Sequence, residues 1–279
     1  MGSAPSRTGA AAAEALPLRQ AIALGALHGP AELLPISSSG HVTLVPWLAG
    51  WRYGELDPEL RKGFEVALHA GTAAALLYCM RGEVSRTLSE LNRSHTLFLG
   101  LSFLPPALIG YTLRGGITRR LGKPGSIAAG LLAGSAAMVA AEVRGSDRRV
   151  AADAGALDGL AIGCAQAAAL LPGVSRNGAT LTAARARGFT RADANTLSKQ
   201  CALPVIIGAT VLEARTPALR NSGIGLRLAA GAIAAFGSTL ACARLIPVLE
   251  RRRSLIPYAI YRSLLAGSVI RRLRQNRAA

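Results

Sequence analysis

The chain has 279 residues, of which 51% are hydrophobic and only 17% charged, yet its formal net charge is +17. That hydrophobic share excludes intrinsic disorder, and the low charged fraction is unlike an ordinary soluble domain. A nucleic-acid binder with a large core and a membrane protein with basic loops both fit these totals, so the placement of the charges has to decide.

In chain order, Met1–Ala13 is small and polar with Arg7 as its single charge, and no short apolar stretch with an A-x-A exit follows, so no cleaved signal is expected. Residues Gly25–His41 read GALHGPAELLPISSSGH: an apolar approach, Leu-Leu-Pro, then the polar tetrad Ser37-Ser38-Ser39-Gly40. Proline removes a backbone donor and clashes with the preceding turn, so a helix should break at Pro35. Phe64–Met80 follows as a span with one charge, Glu65, and Thr96–Leu113 and Ser126–Ala141 carry none. Eighteen helical residues rise roughly 27 Å, close to the hydrocarbon thickness of a bilayer. Between those two spans lie Arg114, Arg119, Arg120 and Lys123; in the later one Gly130 and Gly134 suit close helix packing, within the protein or in a homodimer.

The second half repeats the pattern. Gly163–Thr180 reads GCAQAAALLPGVSRNGAT, again Leu-Leu-Pro and then a polar tetrad, Ser175-Arg176-Asn177-Gly178, so a second break is expected at Pro172. Leu228–Val248 has only Arg244 as a charge and Leu255–Ile270 only Arg262, with Arg251–Arg253 between them and Arg271, Arg272, Arg274 and Arg277 beyond. Uncharged lengths of this kind recur along the chain, whereas soluble helices keep a polar face. The reading is an all-α polytopic membrane protein. It divides into a polar tail at 1–16, one transmembrane domain at 17–270 in halves 17–143 and 159–270, and a basic tail at 271–279. Basic residues that flank lipid-length spans, with aromatics at 4%, argue against a nucleic-acid surface. Basic clusters ordinarily mark cytoplasmic ends, but the last span would place two of them on opposite faces, which leaves orientation open. Cys79, Cys164, Cys201 and Cys242 lack C-x-x-C spacing and suit packing rather than disulfides or zinc.

The two prolines are 137 residues apart, about half the chain. Interrupted apolar segments at corresponding places in two halves point to an internal repeat with a site at its interface. Each break aims a half-helix N-terminus inward, where its dipole favours an anion. Glu32 and Glu65 are the acids well inside apolar segments, and a carboxylate at membrane depth is ordinarily functional. His28 lies four residues before Glu32 and shares its helical face, while His69 lies four after Glu65. With the serines, His41 and Arg176, they make a set suited to attack on a phosphoryl group. Each has a plainer reading: Ser37–Ser39 as a helix cap, His69 as a hydrogen-bonded interior histidine, Glu65 as a helix-starting acid, Arg176 as a loop anchor.

Glu32-Leu-Leu-Pro-Ile-Ser-Ser-Ser-Gly-His41 and Pro172-Gly-Val-Ser-Arg-Asn-Gly-Ala-Thr180 resemble the two signature motifs of the bacterial undecaprenyl-diphosphate phosphatases of the bacitracin-resistance type. Phe64-Glu65-Val66, Leu203-Pro204 with Gly208-Ala209-Thr210, and Ile256-Pro257-Tyr258-Ala259-Ile260-Tyr261-Arg262 fit the same family in order, from about residue 18 to 270. The resemblance implies removal of the terminal phosphate from undecaprenyl diphosphate, yielding the carrier lipid for peptidoglycan, and resistance to bacitracin. It also implies a multi-pass protein of the bacterial plasma membrane, re-entrant hairpins related by an inverted repeat, an active site on the outer face, and magnesium or calcium as cofactor. By the same resemblance, Ser38 is the nucleophile, His41 a base or acid, and Glu32 a cation ligand or water-orienting group. Arg176 then holds the diphosphate, with Ser37, Ser39, Ser175, Asn177 and Thr180 as further substrate contacts. A transporter or flippase of a prenyl phosphate is the competing class, because broken helices in matched halves also build transporters. One departure stands out: the family's first motif usually carries a second Glu where this chain has His28. Imidazole is a poor magnesium ligand, so His28, paired with Glu32 at the metal position, is expected to weaken the dependence on magnesium.

Overall fold

A computed structural model describes residues 14–89, 91–214, 224–243 and 254–278. Most of the N-terminal tail, Arg244–Val248 of one expected span and the Arg251–Arg253 cluster lie outside them. The regular structure among the described residues is helical, apart from a lone bridge between Arg149 and Phe189.

The first half opens with a broken pair, α1 (Leu18–Leu33) and α2 (Ser38–Ala49). Leu34, held before Pro35, is extended (φ −87°, ψ 153°), which ends α1 as the residue before a proline should. Ser37 turns the chain with φ 77°, and its hydroxyl accepts the Gly40 N–H to cap α2. Gly50, left-handed at φ 68°, closes α2. Asp57 caps α3 (Pro58–Cys79), with Pro58 in the first turn, where its missing N–H costs nothing. Three further helices complete the half: α4 (Arg81–Ser89), α5 (Arg93–Leu121) and α6 (Pro124–Arg144).

The second half follows the same order. Its broken pair is α7 (Ala156–Ala168) and α8 (Arg176–Ala186), where Ser175 accepts the Gly178 N–H as Ser37 accepts that of Gly40. Then come α9 (Arg191–Ala214), α10 (Gly225–Ala243) and α11 (Ile256–Ala278). The basic segment expected as a tail continues α11 to Ala278.

Packing pairs exchange between the halves. Helix α10 packs on α1 as α5 packs on α7, and α10 on α3 as α5 on α9. Helix α2 meets α11 as α8 meets α6, while α3 pairs with its counterpart α9 and α6 with α11. Each half therefore covers the broken hairpin of the other, and the two breaks meet in the interior.

The outer surface suits lipid. Leu104, Leu108 and Tyr111 on α5, Leu226 and Ile233 on α10, and Ile260 and Leu264 on α11 are exposed apolar side chains, an arrangement that marks a membrane or partner surface. Among the described residues, three helical stretches are long and apolar enough to cross a bilayer: Arg93–Leu113, Pro124–Arg144 and Gly225–Ala243. The other expected spans, Phe64–Met80 and Leu255–Ile270, lie in α3 and α11, which carry more charge.

Close approach at the second break depends on small residues. A Cβ at Gly130 would overlap the Pro172 carbonyl oxygen, and Gly173, at φ 93°, lies against Ile127. Gly134 faces the Arg262 guanidinium, so both glycines singled out in the sequence serve packing inside the chain. Gly130→Val is expected to destabilise the protein by about 1–3 kcal/mol through overpacking, read as a lower Tm in detergent; an unchanged Tm would mean that α6 does not clamp the Pro172 turn.

Candidate active site

The end of α1 brings His28 and Glu32 onto one buried face. Glu32 is the hub. Its Oε2 accepts a hydrogen bond from the Ser38 hydroxyl at 2.5 Å, across the first break. Its Oε1 accepts from Arg176 Nη2 at 2.6 Å, a contact between residues 144 apart in sequence. His69 on α3 places its Nε2 3.6 Å from Glu32 Oε2. The two breaks are also stitched by Asn177, whose Nδ2 donates to the Leu33 carbonyl at 2.6 Å. The serine, carboxylate and arginine expected to act together do lie together.

The N-termini of α2 and α8 both start at this junction, so their free N–H groups and dipole ends add positive potential where Arg176 stands. Beside it opens a cleft lined by Glu32, Arg176, Asn177 and Ser198 and by the apolar side chains Leu33, Leu76, Met80 and Ala202. Lys199 and Asn195 of α9 also line it, and neither stood out in the sequence. A polar floor under an apolar wall fits a ligand with an anionic head and a hydrocarbon tail.

Other expected site residues take supporting positions. Ser37 and Ser175 are helix caps, with their hydroxyls bound to backbone N–H groups. Thr180 bonds Ser198 at 2.6 Å and the carbonyls of its own helix, and Ser198 in turn donates to Asn177 Oδ1 at 2.9 Å, which fixes the Asn177 amide. Ser39 is half-buried in the first turn of α2. Both ring nitrogens of His41 are engaged away from Ser38: Nδ1 with the Ser37 carbonyl and Nε2 with the Tyr261 hydroxyl, each at 2.7 Å. The hydrogen-bond partner of Ser38 is Glu32, not His41.

Arg262 holds the breaks in place, a role that motif reading did not assign it. Fully buried on α11, it donates from Nη1 to the Pro35 carbonyl at 3.1 Å and from Nη2 to the Gly173 carbonyl at 3.1 Å and the Leu131 carbonyl at 3.3 Å. One guanidinium thus satisfies a freed carbonyl from each turn. The signal for it was present, because Arg262 is the only charge within Leu255–Ile270 and charges at that depth are rarely idle.

Buried acids also occur away from this centre, where arginines neutralise them. Asp158 holds Arg149 through two contacts of 2.8 and 2.7 Å and Arg187 at 2.7 Å, and Glu142 holds Arg191. Burial of a carboxylate alone therefore does not single out Glu32; the serine and the cleft do.

His28, Glu32 and His69 each offer one ligand atom, all within 4.8 Å of one another. Two imidazoles and one carboxylate make a poor match for magnesium or calcium, which take oxygen ligands.

A family model described as bacitracin resistance protein BacA matches residues 21–268. An undecaprenyl-diphosphatase of Pelobacter propionicus is 34% identical over 272 residues, 91% of this chain and 96% of that one. One from Geobacter metallireducens is 36% identical over 264 residues, 89% and 95% of the two chains, and one from Mycobacterium avium 34% over 293, again 89% and 95%.

Proposed function

The chain belongs to the bacitracin resistance protein BacA family, and from that membership and the site geometry we infer how it works as an undecaprenyl-diphosphatase. It is a multi-pass membrane hydrolase that converts undecaprenyl diphosphate to undecaprenyl phosphate, returning the carrier lipid to cell-wall synthesis and conferring bacitracin resistance. Its place is the bacterial plasma membrane, with the cleft open to the outer face, as the resemblance of its motifs implies. The observation that carries the mechanism is the Ser38–Glu32–Arg176 contact across the two breaks.

The apolar wall of the cleft takes the first isoprene units, and the terminal phosphate lies over the N-termini of α2 and α8. Arg176 uses one nitrogen for Glu32, and its fork leaves Nε and Nη1 for phosphate oxygens. As Ser38 Oγ attacks the terminal phosphorus, its proton passes to Glu32 Oε2, with which it already shares a 2.5 Å hydrogen bond. The bond from that phosphorus to the bridging oxygen breaks, and undecaprenyl phosphate leaves. Water then attacks the phosphoserine, giving up a proton as orthophosphate departs and Ser38 is restored. His41, one turn along α2 from Ser38, and Tyr261 of α11 form the relay that carries protons to and from the leaving groups. Arg176 and the helix dipoles stabilise the charge that develops on the transferring group.

The test uses undecaprenyl diphosphate labelled in its terminal phosphate, with purified chain in detergent and in vesicles. The expected result is labelled orthophosphate, with transient label on the wild-type protein and none on Ser38→Ala. Lipid crossing the vesicle bilayer with its label intact, and no orthophosphate in detergent, would instead support a prenyl-phosphate transporter.

A further inference from the structure

We propose that His28 Nε2, His69 Nε2 and a Glu32 carboxylate oxygen form a site for a first-row transition-metal dication of the zinc or cobalt class, in place of magnesium or calcium. The proposal rests on the hydrolytic reading of the cleft only in placing the ion beside Ser38; the donor set stands by itself. One atom from each residue lies within 4.8 Å of the others, and the two imidazoles meet edge to face at 4.5 Å between ring centres.

Two ring nitrogens and a carboxylate oxygen converge with no hydrogen bond among them. His69 Nδ1 lies 2.8 Å from the Glu65 carbonyl, which can only accept, so Nδ1 carries the proton and the neutral ring presents a bare Nε2. That Nε2 faces Glu32 Oε2 at 3.6 Å, too far for a hydrogen bond. His28 is fully buried; its Nδ1 lies 3.0 Å from the Thr72 hydroxyl and its Nε2 has no hydrogen-bond partner. A buried polar atom in that state calls for an occupant. A dication between the three would satisfy both nitrogens and the carboxylate at once.

The outer contacts agree. Histidines that bind metals ordinarily fix their other nitrogen on a carbonyl, carboxylate or other polar group, which sets tautomer and ring angle. Here the Glu65 carbonyl and Thr72 take those places, with Thr239 3.3 Å behind Thr72. Imidazole nitrogens suit zinc and its neighbours, and three protein ligands leave a coordination position open.

The test uses the full-length chain purified without a polyhistidine tag, stripped with chelator and titrated with Co2+, following the visible ligand-field absorption. Saturation at one ion per chain is expected, displaced by Zn2+ but not by millimolar Mg2+. His28→Gln and His69→Gln should each weaken binding at least tenfold, while His95→Gln, away from the site, should leave it unchanged. No saturable binding, wild-type affinity in both histidine variants, or displacement by Mg2+ would overturn the site; the last two are read on folded protein, and the competition needs no variant. An imidazolium form of His69 paired with Glu32 is the alternative that the first of these outcomes would favour. Phosphate release is measured on the same preparation. Release without cobalt binding overturns the metal site alone, and cobalt binding without release upholds the site while overturning the hydrolytic reading.

Discussion

Arg176→Ala is expected to lower kcat/KM for phosphate release by about 10³-fold, the scale of losing a preorganised donor to the transition-state charge. Two effects act in the same direction. The phosphate loses a guanidinium, whose planar fork matches its oxygens in pairs. Glu32, only 8% exposed, loses the cation that meets its Oε1 at 2.6 Å, and a buried carboxylate without a partner is strongly destabilised. Glu32 can answer only by taking up a proton or turning away, and either change disrupts its contact with Ser38. Arg176→Lys restores a charge but not the fork, so it should recover part of the loss, to about 10²-fold below wild type. Initial rates of orthophosphate release from undecaprenyl diphosphate settle the matter. An alanine variant within threefold of wild type would remove Arg176 from the reaction.

Arg262→Leu should impair both folding and turnover, although this residue touches none of the reacting groups. Leucine would leave the carbonyls of Pro35 and Gly173 without this donor in the interior, at about 1–3 kcal/mol for each one left unsatisfied, while that of Leu131 keeps the Ser135 hydroxyl. The same change frees the turns that aim Ser38 and Arg176 at Glu32. Misplacement on the order of 1 Å can cost about 10²-fold in rate. A fall of several degrees in Tm together with a loss of that size in kcat is expected. Arg262→Lys, able to reach fewer carbonyls, should fall between. Wild-type kcat in a folded Arg262→Leu protein would show that the turns hold their geometry without it.

How much of this was legible beforehand differs from residue to residue. The breaks were readable because Leu-Leu-Pro is followed by a polar tetrad that opens on a natural cap, Ser37 or Ser175; proline alone is not the signal, since Pro30, Pro46, Pro105, Pro106 and Pro204 lie inside helices. The capping explanation of the serine run holds for Ser37, while Ser38, one residue on, faces Glu32. Capping thus belongs to one hydroxyl and the carboxylate contact to the next. The face shared by His28 and Glu32 followed from helical spacing. The Glu32–Arg176 contact did not, since no local rule brings residues 144 apart together; only the matched breaks hinted at it.

The plainer reading of His69, a hydrogen-bonded interior histidine, fits its Nδ1 bond to the Glu65 carbonyl. Its other nitrogen reaches Glu32 because α3 packs on α1, a tertiary fact that periodicity does not encode. His41 illustrates the opposite error. Its place at the end of the serine run suggested a partnership with Ser38, but side chains three residues apart on a helix need not bond, and Tyr261 and the Ser37 carbonyl take both of its nitrogens.

The central claim is that two hairpins from opposite halves of the chain build one site for one phosphate. Its most direct measurement is a double-mutant cycle on kcat/KM for phosphate release, with Glu32→Gln, Arg176→Ala and the pair together. Residues that act as a unit are strongly non-additive. The expected result is a double mutant no slower than the slower single one, a coupling of about 2 kcal/mol or more. Losses that simply multiply would mean that Glu32 and Arg176 act independently, and the two breaks would then not form a single site.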